Sequence, residues 1–204
     1  MSQRVVITAA ASGIGRAIAK AFHDAGAQVH VCDVDEKAIG KLTRDFPAIS
    51  GAMVDVSNEK PLSDWFSAAI GAMGGIDVLV NNAGISGPTA PVEDVALDDW
   101  RACFAVCLES HMMTCRLAVP LMKAQKSGAI INISSGAGLA GYPFRTPYAA
   151  AKWAIIGFTK SLASEVGPYN VRVNAICPGS VSGPRMDRVI TAEAKAAGRP
   201  EEDV

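Results

Sequence analysis

The 204-residue sequence predicts a doubly wound α/β domain, a parallel sheet covered by helices on both faces. Three observations point to it. Short β-branched runs alternate with longer stretches of helical periodicity. The runs are apolar on both faces, as the strands of a fully covered parallel sheet must be. Glycine or proline stops close most of the helical stretches.

Taken in order, Arg4 to Thr8 reads as a strand. Gly13 to Ala25 follows as a helix with Ile14, Ile18, Ala21, Phe22 and Ala25 on one face and Gly26 as its stop. Gln28 to Cys32 is the second strand, ending at Asp33, and Asp35 to Phe46 a helix closed by Pro47. Gly51 to Val56 is the third strand, and Lys60 to Met73 a helix stopped by Gly74 and Gly75. Ile76 to Asn81 is the fourth, and Asp98 to Lys126 one long helical stretch expected to break or bend at Pro120. Ala129 to Ser134, a helix from Tyr148 to Val166 and a sixth strand from Val171 to Ile176 complete the alternation. With right-handed crossovers this is a Rossmann-like sheet. No linker, low-complexity tract or repeat interrupts it, so residues 1–204 are expected to form a single domain. After Pro178 come a loop and a short polar helix but no strand, so the final strand is expected to be lacking.

Composition narrows the function. Nineteen basic and twenty acidic residues leave a net charge of −1 without a basic block, which argues against a nucleic-acid partner. The first residues lack the apolar region of a secretory signal, and no run approaches the roughly 18 apolar residues of a membrane span. A cytoplasmic location with no membrane partner is therefore expected. Five cysteines without paired short spacing suggest neither a disulfide framework nor a zinc site. Cys103 and Cys107 lie one helical turn apart, so a redox pair stays open beside buried thiols. His23, His30 and His111 are scattered, and no metal is expected.

In a sheet of this kind ligands bind beyond the carboxyl ends of the strands. After the first strand comes "TAAASGIG", where Gly13 and Gly15 let the chain turn and bring free helix amides toward a pyrophosphate, with Ser12 and Ile14 between and beside them. Asp33, eighteen residues past Gly15, can accept both ribose hydroxyls and would repel a 2′-phosphate. No arginine or lysine lies beside it or at Ser12, a pattern that favours NAD over NADP. After the fourth strand stands "NNAG", Asn81 to Gly84, readable as a turn or as a surface against which an adenosine ribose lies.

Beyond the fifth strand, Tyr148 and Lys152 are one helical turn apart and face the same way. A cation beside a phenol favours its ionised form, which suits a general acid/base, although an ordinary amphipathic surface gives the same spacing. Ser135, thirteen residues before Tyr148, can hydrogen-bond an oxygen that gains charge during hydride transfer. "PGSV" after the sixth strand puts Pro178 and Gly179 at a sharp turn.

From Val5 through Val181 the sequence resembles the short-chain dehydrogenase/reductase family: "TAAASGIG", "NNAG", the serine, "YAAAK" and "PGSV" occur in family order and spacing. The resemblance implies NAD(P)-dependent oxidation of an alcohol or reduction of a ketone. Tyr148 would be the acid/base, Ser135 would orient the substrate oxygen, and Lys152 would assist the tyrosine and hold the nicotinamide ribose. It further implies that Asp55 and Val56 flank the adenine, Asn82 and Gly84 the adenosine side, and Val181 the carboxamide. A homotetramer built partly on the two long helices is implied as well. Ile85 to Pro88, Gly136 to Arg145 and Ser182 to Met186 would line the substrate pocket, where Arg145 and Arg185 either meet an acidic group or face solvent.

Three departures accompany the resemblance. Ala9 stands for the first loop glycine, which is tolerable unless that residue needs positive φ. Cys107 stands for an asparagine that helps hold a water relay, and a thiol is the poorer hydrogen-bond partner. The chain ends at Val204, within 182–204, the start of the implied substrate lid, so both a fragment and a variant with an exposed sheet edge remain open. An active oxidoreductase is the leading reading. A non-catalytic NAD-binding sensor or subunit is the alternative.

Overall fold

The computed structural model describes residues 2–203. Six parallel strands form one sheet in the order β3-β2-β1-β4-β5-β6. They are β1 (Arg4–Thr8), β2 (Gln28–Asp33), β3 (Ile49–Met53), β4 (Val78–Asn81), β5 (Gly128–Ile133) and β6 (Val171–Ile176). The order reverses at β1, which pairs with β2 on one side and β4 on the other, so a crevice opens beyond Thr8 and Asn81. Among the described residues the sheet ends at β6, which pairs with β5 alone.

The strands are buried because each face carries its own core. Val5, Ile7, Val29, Val31 and Val80 pack with Ala19 and Leu42 on one side. Those two come from α1 (Gly13–Asp24) and α2 (Glu36–Asp45). On the other side Val6, Leu79 and Ile130 pack against Phe66, Ala118, Met122, Leu162 and Val166. These belong to α3 (Glu59–Met73), α5 (Ser110–Gln125) and α6 (Thr146–Val166).

The long helical stretch differs from expectation. α4 (Leu97–Phe104) runs through a π-helical turn at Ala105–Glu109 into α5, and α5 continues past Pro120 without a break. Proline removes one backbone donor, but the carbonyl it leaves unmet belongs to Arg116 on an exposed face, where water can serve it. The irregularity is therefore one inserted residue around Cys107. The continuous Leu97–Gln125 helix has a mean hydropathy of 1.3 in its most apolar stretch, and its Cys115, Ala118 and Met122 lie in the core. α7 (Pro184–Ala197) completes the helices.

A buried polar chain ties the layers together beneath the site. Thr114 Oγ1 on α5 donates to Asn81 Oδ1 at 2.6 Å, Asn81 Nδ2 to Asn132 Oδ1 at 2.9 Å, and Asn132 Nδ2 to Thr159 Oγ1 on α6 at 2.9 Å. Each is buried and each is partnered, as burial of polar groups requires. The register of β4 and β5, and with it the position of the strand ends, is thereby fixed.

Candidate active site

At the reversal point the loop after β1 is shaped by its neighbours. Ala9 has φ of +51°, the left-handed region that favours glycine. Several bonds hold it there. Asn82 Nδ2 donates to the Ala9 carbonyl at 2.7 Å and the Thr8 carbonyl at 3.1 Å, Ala10 N to the Cys32 carbonyl, and Ala11 N to Asp33 Oδ2 at 3.0 Å. Thr8 Oγ1 in turn accepts the amides of Asn82 and Ala83. Asn82 thus spends its side chain on the loop.

Gly13, with φ of +54°, opens α1, and a Cβ there would meet nothing within 4 Å. Ser12 caps the helix without a side-chain bond, and no acidic residue sits in the first turn. Gly13 is thus exposed at a helix start with the dipole's positive end at the loop, which suits a phosphate. Gly15 serves packing: a Cβ there would come 2.5 Å from both the Ala9 carbonyl and Asn82 Nδ2. The Asp33 carboxylate also accepts from the amides of Val34 and Asp35, so it stands fixed at the end of β2 beside this loop. These residues fit a dinucleotide.

Asp55 and Val56 are held differently. Asp55 accepts from Ser57 N, Ser57 Oγ and Asn58 Nδ2, which ties up its carboxylate in the turn before α3. Val56 is buried with Cys32, Val54, Leu62 and Ala83. Beyond β6, the Pro178 carbonyl accepts from Gly136 N at 2.8 Å, which joins "PGSV" to the loop carrying Ser135; Gly179 and Val181 stand exposed just beyond. Ser135 accepts from Ala137 N at 3.2 Å at the entrance to a short 3-10 turn.

α6 brings Tyr148 and Lys152 together. Lys152 Nζ lies 5.7 Å from the Tyr148 ring centre and donates to the Ile133 carbonyl at 2.9 Å. The side chain is 2% exposed, and burial pushes the ammonium below its ordinary pKa. Ser134 Oγ anchors the same turn by donating to the Lys152 carbonyl. A methyl on Gly84 would stand 3.3 Å from Lys152 Nζ and 3.7 Å from Cys107 Sγ, so "NNAG", the lysine and the thiol meet at one point.

Cys107 Sγ lies 3.3 Å from both the amide and the carbonyl of Ile85, bonding the loop after β4. A hydrogen bond from Cys103, the Lys152 charge and the Ile85 amide draw it below the usual thiol range, while burial opposes them by favouring the protonated form. Of the two thiols Cys107 is the one that ionises first, because Cys103 donates to it and is pushed up in return.

Two residues carry more weight than their sequence context suggests. Arg145 is 2% exposed; its Nη1 meets Glu193 Oε1 of α7 at 3.2 Å, its Nη2 donates to the Ser86 carbonyl at 2.6 Å, and its guanidinium lies 5.1 Å from the Tyr148 ring centre. This excludes the solvent-facing alternative for Arg145. His111, buried one turn beyond Cys107, is close enough to Lys152 for its charge to be felt. A concavity of about 760 Å³ lies at the amino ends of the strands. Its Arg4 and Asp77 are paired with each other, and none of the predicted site residues lines it.

A family model described as short chain dehydrogenase matches residues 3–195. The chain belongs to the short-chain dehydrogenase/reductase family. It is 38% identical over 212 residues to a D-beta-hydroxybutyrate dehydrogenase of Rhizobium meliloti (strain 1021), covering 100% of this chain and 81% of the relative. It is 41% identical over 189 residues to a trans-4-hydroxycyclohexanecarboxylate dehydrogenase of Sinomonas cyclohexanicum, covering 88% and 72%. An NAD+-bound xylitol dehydrogenase superposes with a TM-score of 0.89 at 30% identity, covering 95% of this chain and 76% of that one. As a family member the protein is an oxidoreductase that moves a hydride between a nicotinamide dinucleotide and an alcohol or carbonyl.

Proposed function

We propose that the protein is an NAD-dependent dehydrogenase or reductase of a small alcohol or ketone, with Tyr148 as general acid/base and Ser135 and Lys152 beside it. The observation that carries this reading is the Tyr148 ring held 5.7 Å from a buried lysine at the strand ends, next to the dinucleotide loop.

Bound, the nicotinamide accepts or donates the hydride. The chain's own residues handle the proton and the developing charge. In the oxidative direction Tyr148 takes the alcohol proton through its phenol oxygen, and the Ser135 hydroxyl orients the same substrate oxygen. Lys152, fixed by the Ile133 carbonyl, puts positive charge beside the phenol where negative charge passes. Ser12, Gly13, Ile14 and Gly15 hold the pyrophosphate, and Asp33 accepts the ribose hydroxyls; Asp55, Val56, Asn82 and Gly84 shape the adenosine side. Pro178, Gly179 and Val181 border the nicotinamide. NAD is favoured over NADP because the Asp33 carboxylate would stand against a 2′-phosphate.

A homotetramer in the cytoplasm, with 182–204 serving as part of a substrate lid, belongs to the same proposal. Exposed Met112, Leu121 and Trp153 on α5 and α6 offer apolar surface for subunit contact. The test is cofactor oxidation and reduction with NAD(H) and NADP(H) against alcohols and ketones. Tyr148→Phe is expected to lose at least about 100-fold in kcat while keeping the fold, and Cys107→Asn to match or exceed the parent. Full activity in the Phe variant would overturn the mechanism.

A further inference from the structure

The charge around Tyr148 is out of proportion to the molecule. The chain carries a net charge of −1, yet three cations surround this one ring: Arg145 at 5.1 Å, Lys152 at 5.7 Å and Arg185 at 6.0 Å from its centre. Glu193 offsets only Arg145. Arg145 is the less accessible of the two arginines: Glu193 and the Ser86 carbonyl each take one of its terminal nitrogens, its Nε has no partner among the described residues, and the chain buries the whole group. Lys152 is likewise buried and committed to the Ile133 carbonyl.

Arg185 is the exception. It is exposed at the start of α7, and among the described residues it meets no carboxylate. Its single hydrogen bond runs from Nη1 to the Gly84 carbonyl at 3.0 Å. That bond tethers one nitrogen and leaves the Nε and Nη2 edge of the guanidinium unengaged, the fork that accepts a carboxylate in bidentate fashion. The tether also fixes where that edge can be: beside the ring whose hydroxyl is to meet the reacting oxygen.

We propose that the substrate is a short hydroxy acid, or the oxo acid in the reverse direction, whose carboxylate is bound by Arg185. The proposal rests on Tyr148 being the acid/base. A substrate whose carbinol oxygen reaches the Tyr148 hydroxyl and whose carboxylate lies a few bonds away spans from the ring to this guanidinium. The Arg185 guanidinium, which meets no carboxylate among the described residues, then finds its counter-ion in the ligand. Arg185 is a specificity-determining residue in this arrangement, separate from proton transfer.

A ladder of short hydroxy acids, each paired with its own methyl ester, provides the test with the full chain. The expected result is an acid-over-ester preference in kcat/KM of about tenfold or more for at least one pair. Arg185→Gln should collapse that ratio mainly through KM for the acid, and Arg185→Lys should restore part of it. Esters oxidised as well as their acids would overturn the carboxylate assignment while leaving the dehydrogenase reading intact. Turnover of neither member with either nicotinamide cofactor would overturn both. If Arg185→Gln instead shifts the pH profile for acid and ester alike, the residue tunes Tyr148 and the assignment fails.

Discussion

Ala9 and Cys107 each occupy a position where another residue is better suited, and the two halves of the site absorb them in opposite ways. In the loop after β1 the mismatch is conformational. Left-handed backbone costs an alanine roughly 1–2 kcal/mol, and the cost is carried by a ring of main-chain, Asn82 and Asp33 hydrogen bonds that holds the loop in place. In the helix facing Lys152 the mismatch is chemical. The π turn seats the Cys107 thiol against Ile85, Cys103 and Lys152, so a titratable sulfur enters the neighbourhood of the buried lysine. Backbone strain can be shared out among neighbours, whereas a changed ionisable group alters every charge near it.

The comparison breaks first at Gly15 if the loop is less rigid than this. A Cβ at Gly15 would stand 2.5 Å from the Ala9 carbonyl and from Asn82 Nδ2 and 2.7 Å from Ala10 Cα, so the bond that holds Ala9 must open. Gly15→Ala is expected to lose about 1–3 kcal/mol of stability and to weaken binding of the nicotinamide dinucleotide, read by urea unfolding and by titration with NAD(H) and NADP(H). An unchanged midpoint together with unchanged affinity would mean that the loop yields freely.

The pocket half is sharpened by pH. His111 Nε2 lies 3.2 Å from the Ala83 carbonyl, so that nitrogen carries the hydrogen, and Nδ1 is buried without a partner among the described residues. Burial, followed by the Lys152 charge, pushes the imidazole down to about 3. The folded state thus stays unprotonated while the unfolded imidazole takes a proton below about 6.5. The resulting stability is fully present above that value and drains as pH falls toward the folded pKa, with a slope of up to about 1.4 kcal/mol per pH unit. Unfolding free energies at about pH 7, 6 and 5 should show this slope in the parent and a shallower one in His111→Gln. Parallel curves for the two proteins would remove His111 from the electrostatics of the pocket.

Legibility in the sequence divides along the same line. The sheet could be read because a parallel strand announces itself as an apolar run, and because Asp33 and Asn81 mark the ends of β2 and β4 while Gly13 marks the helix start after β1. The π turn could not, since one extra residue at Ala105–Glu109 leaves the apolar pattern of a long helix almost unchanged, while Pro120 offers a more conspicuous and misleading signal. Arg145 was equally hidden: its burial depends on Glu193, forty-eight positions away, and on the Ser86 carbonyl. Local pattern names the elements and their ends, whereas long-range partners decide what the side chains between them do.

The smallest effect is also the cleanest measure of the conformational half. Ala9→Gly removes the left-handed strain at φ +51° but gives the unfolded chain more freedom, which returns roughly 0.5–1 kcal/mol of the gain. The net expectation is a stabilisation of about 0.5–1 kcal/mol, or roughly 1–4 °C in Tm for a domain of this size. Affinity for the nicotinamide dinucleotide should change by less than about threefold, because Asn82 and Asp33 already fix the loop. A large gain in affinity with little change in Tm would reverse the assignment: the methyl group, and not the backbone angle, would then be what Ala9 imposes, pressing on the bound pyrophosphate where the structure assigns only strain.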